Sequence, residues 1–186
     1  MSYSNNGAAS SFAANKYKLG LGPVEEANFK GELYYVRQKY LAVGTGAHKD
    51  IVVSVGTKNL FLAGRSFSTT TDRMELEVYI NPTFSGGTPI VPSAYNGITP
   101  VLPAGTTAVS EPVVTDTGIL FDEFLFLGGP DKKDDNVMGS FRSNDVLRMV
   151  PPSTDFLLRV KNEGTIDMDC LIKYLFFERD PSVVLS

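Results

Sequence analysis

The sequence predicts an all-β fold: a single antiparallel β-sandwich or jelly roll of about eight strands, carrying an extended N-terminal arm. Three observations lead there. Apolar residues recur with a period of two: Met74, Leu76, Val78 and Ile80 alternate with Arg73, Glu75, Glu77 and Tyr79, and Met168, Cys170, Ile172, Tyr174 and Phe176 do the same near the C-terminus. Successive side chains leave a strand on opposite faces, so this period marks a strand with one face in a core. Glycine and proline punctuate the apolar runs at short intervals, and no segment shows the spacing of an amphipathic helix or a longer internal repeat.

The chain has 186 residues, 42% of them hydrophobic and 20% charged, which suits one globular domain. Residues 1–28 are rich in Ser, Asn, Ala and Gly and bury too little to offset their ordering entropy, so they read as an arm ahead of a domain over 29–186. Phe12, Tyr17, Leu19 and Leu21 are spaced apolar anchors that such an arm could place on a neighbouring subunit. The alternative is a plain disordered tail. The N-terminus lacks the basic and apolar regions of a secretory signal, which leads us to expect a protein made in a cytoplasmic compartment. No apolar run approaches the roughly 18 residues of a membrane-spanning helix, so no membrane partner is expected.

From Phe29 the strands follow in order. Glu32–Tyr40 is rich in tyrosine, Ile51–Val55 in β-branched residues, and Asn59 opens a strand that continues past Gly64 toward Thr71. Arg73–Ile80 stops at Asn81-Pro82, because proline has no ladder donor. The segment 82–112 holds six prolines and reads as a long exposed contact loop. Gly118–Leu127 (GILFDEFLFL) is apolar on both parities, and Asp131–Asn136 reads as a charged turn. Asp145–Val150 is a short strand, and residues 154–178 read as a long antiparallel hairpin in which Gly164 supplies the positive φ of the turn. The apolar surplus of 118–127 and 171–177 fits either a sheet covered within the chain or a contact between copies. We expect the second, with Phe124, Phe126, Leu171, Leu175 and Phe177 as contact residues.

Chemistry-bearing patterns are sparse. His48, the only histidine, sits in the polar turn GTGAHKD, which lacks the order of a phosphate loop. One histidine and one cysteine do not make a zinc site, and Cys170 falls on the apolar parity of its strand. Asp131, Asp134, Asp135 and Asn136 lack the order of a calcium loop and have Lys132 and Lys133 among them. Asp122-Glu123 and Asp167/Asp169 are carboxylate pairs of a kind common in acidic chains. No catalytic residue, metal ligand or cofactor is expected, and the chain reads as a non-enzyme. A net charge of −4 argues against nucleic acid as partner.

Three stretches in this order, MELEVYINPTFSGGTPIVPSAYN (74–96), DTGILFDEFLFLGG (116–129) and VLRMVPPSTDFLLRVKNEGTIDMDCLIKYLFFE (146–178), resemble small virion structural proteins of tailed bacteriophages, described as head-decoration or cement proteins. Ile80 stands where a charged residue is common in such relatives, and Phe176-Phe177-Glu178 has Phe where Trp is frequent. The resemblance implies a protein of the capsid surface that adheres rather than reacts. Its partners would be the major capsid protein and other copies of itself, as a homotrimer, with residues 1–28 as the capsid arm. Two other readings stay open: a tail, neck or head-fibre component, and a carbohydrate-binding β-sandwich module.

Overall fold

Strands that keep their apolar residues on one parity must stack that parity against another sheet, and the chain does so. The structure, a computed structural model, describes residues 22–95, 105–127, 137–141 and 148–182, without the side chains of 127, 137–141 and 148. Among these residues one helix precedes fourteen strands. The helix is α1 (Pro23–Phe29); the strands are β1 (Leu33–Val43), β2 (His48–Ser54), β3 (Asn59–Thr69), β4 (Arg73–Ile80), β5 (Thr83–Ser85), β6 (Thr88–Ile90), β7 (Ser93–Ala94), β8 (Thr107–Ser110), β9 (Val113–Asp116), β10 (Ile119–Leu127), β11 (Val137–Phe141), β12 (Arg148–Val150), β13 (Asp155–Asn162) and β14 (Met168–Arg179).

Two antiparallel sheets form a sandwich. The first runs β11-β3-β14-β1-β7, with β12 also on β3; the second runs β10-β4-β13-β2-β8-β6; β5 and β9 pair separately. Counting β11 and β12 as one broken strand, the eight principal strands stand in the order 1-8-3-6 in the first sheet and 2-7-4-5 in the second. The core lies between the sheets. Val36 and Tyr40 of β1, Phe67 of β3 and Cys170, Ile172 and Phe176 of β14 meet Ile51 and Val53 of β2, Leu76 and Val78 of β4 and Phe156, Leu158 and Val160 of β13. Burying each such side chain contributes about 1.5–3 kcal/mol.

Three expectations change. β13 and β14 are not a hairpin: β13 pairs with β2 and β4, β14 with β1 and β3, so the link between them is a corner from one sheet to the other. Both strands bury their apolar parity in the same core, and they satisfy that by facing each other across it. Gly164 does not take the positive φ expected of it; what favours glycine there is space. A Cβ on it would lie 1.9 Å from Thr71 Oγ1 and 2.4 Å from Asp72 Oδ1. Buried Asn162 organises the corner, donating from Nδ2 to the carbonyls of Val43 (2.8 Å) and Ile166 (2.7 Å) and accepting the Gly164 N–H at Oδ1 (3.0 Å).

The second change is α1, which occupies part of the expected arm. Pro23 fits its first turn, Glu25 and Glu26 favour the positive end of its dipole, and Lys30 pairs with Glu26 at 2.8 Å. Gly31, at φ 73°, ends it: the Gly31 N–H bonds the Asn28 carbonyl and the Glu32 N–H the Ala27 carbonyl, a Schellman closure. The helix lies on the outer face of the first sheet, where Ala27, Leu33, Phe61 and Phe177 form a second buried cluster. Third, segment 82–112 is not one loop. Its described parts build β5, β6, β7 and β8, and buried Glu178 accepts hydrogen bonds from the N–H and hydroxyl of Thr106, tying it to β14. Asp131–Asn136 lies outside the described residues.

Candidate interaction surfaces

The expected contact residues separate into three groups. Phe12, Tyr17, Leu19 and Leu21 lie outside the described residues. On β14, Phe177 is fully buried and stacks on Phe61 at 5.2 Å between ring centroids, while half-buried Leu175 packs against the same cluster. Phe177 is therefore satisfied inside the chain: α1 covers the surplus apolar parity of this part of the strand. Leu171, opposite Ser68 and Lys39, is also half-buried.

On β10 the parity is the reverse of the expectation. Phe124 and Phe126 turn inward, Phe126 edge-on to Phe67 (5.3 Å) and Phe124 beneath the Arg65 guanidinium (3.5 Å from the ring centroid). Arg65 also lies 3.7 Å from Asp122. What β10 exposes is Ile119, Leu120, Phe121 and Leu125, each 48% exposed or more. The one extra residue of β10 against β4, Phe121, shifts the register between Leu120 and Asp122, and a pattern read without the partner strand does not reveal such a shift.

Behind this strand the outer face of the second sheet carries a charged network. Arg159 grips buried Asp50 with two hydrogen bonds, Nε to Oδ1 at 2.9 Å and Nη2 to Oδ2 at 2.8 Å, which hold the guanidinium pKa up. Lys161 reaches Glu77 and, at 3.1 Å, Glu75. Burial opposes its charge, yet hydrogen bonds to Glu77 and Glu75 push its pKa up to about 12. The Tyr79 hydroxyl donates to Glu77 at 2.9 Å. At the β10 side Glu123 shares a hydrogen bond with Glu75, and that bond and the neighbouring charge raise its pKa. The ladder registers of β4, β13, β2 and β10 explain the order of these charges. Glu77 stands between Arg159 and Glu123, and Arg159 opposes Asp50. The sequence alternation placed these side chains on an outward face without showing which strands would bring them together.

Two further features complete the surface. An apolar cavity of about 250 Å3 opens between the sheets beside β10 and β12, lined by Leu62, Val78, Ile80, Phe121, Val150 and Phe156. Lys173 Nζ sits over the rings of Tyr35 (4.6 Å) and Tyr95 (4.7 Å) on the first sheet's outer face. Exposed His48 stands 3.8 Å from Asp50, and burial pushes the Cys170 thiol up to about 11, which suits a core residue. Among the described residues no group of three or more His, Cys, Asp or Glu is arranged to hold a metal ion, and no helix is long and apolar enough to cross a membrane. No protein-family model matches the chain, and no curated protein matches it.

Proposed function

We propose that this chain is a bacteriophage virion structural protein, a decoration or cement protein that binds the outer capsid surface and strengthens contacts between capsomers. The observation that carries the reading is the strand order. With β11 and β12 counted together, we read the order 1-8-3-6 and 2-7-4-5 as that of a jelly roll, a sandwich recurrent in virus particles. The sequence resemblance over 74–178 points the same way. Function on this reading is adhesion: the sandwich is a stiff body, the segment ahead of α1 carries Phe12, Tyr17, Leu19 and Leu21 to the capsid protein, and copies associate with one another. Several modest contacts made at once hold more firmly than each alone.

Quantitative mass spectrometry of purified virions tests it. Copies in a simple ratio to the major capsid protein are expected. A handful of copies per particle would move the protein to tail, neck or head fibre, and its absence from virions together with glycan binding would replace the reading with a carbohydrate-binding module.

A further inference from the structure

β10 closes one edge of the second sheet, and among the described residues it pairs only with β4. It is nine residues long, has no proline, lysine or arginine, and exposes four large apolar side chains. The opposite edge is guarded: β6 has three residues with Pro89 at its centre, which lacks a ladder donor. A long edge strand without proline or lysine is a template for another strand over the part beyond its bulge. Within β10, the irregularity at Phe121 leaves an unbroken ladder from Asp122 to Leu127. The outward parity of that run holds Glu123 and Leu125, and the ladder is centred near Leu125.

Charge selects the occupant. Glu123 stands at one end of the run opposite Glu77 and shares a hydrogen bond with Glu75, which lies level with Leu125; the nearest cation, Lys161, is already held by Glu75 and Glu77. At the other end exposed Arg73, across from Leu127, makes no ion pair among the described residues. One edge therefore carries an excess of acid on one side of Leu125 and a spare base on the other. An antiparallel copy inverts that order. With Leu125 on the two-fold axis, Glu123 lies opposite Leu127 of the second copy, whose Arg73 stands one strand further on in the same row, within the reach of two long side chains, and the same arrangement forms twice. A two-fold on Glu123 would instead set like charges face to face, which is unfavourable.

We propose that β10 pairs antiparallel with β10 of a second copy of this chain, about a two-fold at Leu125, joining two second sheets into one continuous sheet. The contact is isologous, so it makes pairs and not a ring of three.

Light scattering on the purified chain is expected to give twice the 20.2 kDa chain mass. Leu125→Lys, at an exposed position, is expected to give the single-chain mass with an unchanged circular dichroism spectrum. Arg73→Glu and Glu123→Arg are each expected to weaken the pair about tenfold or more, and their combination to restore it. A single-chain mass for the unaltered protein, a three-copy assembly indifferent to Leu125→Lys, or charge reversals without mutual rescue would overturn the proposal. The experiment needs no capsid, so its failure is distinct from failure of the virion reading.

Discussion

Tyr40, Cys170, Tyr174 and Lys161 all hold their protons more tightly in the folded chain. Burial pushes Tyr174 up to about 12, Cys170 up to about 11 and Tyr40 higher still; Lys161 rises to about 12 because its hydrogen bonds to Glu77 and Glu75 outweigh its burial. A group raised in this way contributes fully below its unfolded pKa, and the contribution is lost as pH rises through the folded one. All four shifts share that sign, so stability is expected to fall from pH near 9, the ordinary value for the thiol, toward pH 12. Urea unfolding midpoints across that range check it. Tyr40→Phe, which removes a hydroxyl that donates to the Asp50 carbonyl at 3.0 Å, is expected to cost about 1 kcal/mol at neutral pH and to flatten the alkaline loss. A midpoint level to pH 12 would contradict this. Cys170 as a core residue was legible, because parity alone sets its face. The roles of Asn162 and Gly164 were not, since both depend on Val43, Thr71 and Asp72, which are remote in sequence.

At the scale of elements, the clean alternations translated directly into strands: Arg73–Ile80 is β4 from end to end. α1 escaped because seven residues are too few to display a helical period and too short to be stable alone. Its stability comes from docking: Ala27 is fully buried against the sheet, while Phe29 is 71% exposed. Ala27→Asp would bury a charge without a partner and is expected to lift the helix, costing about 2 kcal/mol or more. Phe61 and Phe177 would then be uncovered. A lowered melting temperature with increased binding of an environment-sensitive apolar dye is the expected outcome, against little change for Phe29→Asp. Equal behaviour of the two variants would mean that α1 is not a structural cover.

For the whole molecule, the fold class was readable from period and punctuation, but the partition of strands between sheets was not. Alternation reports that a strand has a buried face and is silent on which strand lies beside it. Residues 154–178 show the cost of that silence: adjacent strands with a short glycine-bearing link look like a hairpin, yet they belong to opposite sheets. The pairs that do form are distant in sequence, Leu33 with Phe177 in β1–β14 and Lys161 with His48 in β13–β2. Contacts of this kind reward the chain only after long loops have closed, so refolding from urea is expected on the timescale of milliseconds to seconds. The same topology makes a sharper demand on fragments. A peptide covering residues 154–182 would keep both strands and their link but lose every ladder partner that β13 and β14 use, and a two-stranded unit is marginal even when it is paired. Its circular dichroism is therefore expected to be that of an unstructured chain. A folded hairpin in this peptide would mean that the local pairing competes with the sandwich, and refolding would then pass through its disruption as a slow step.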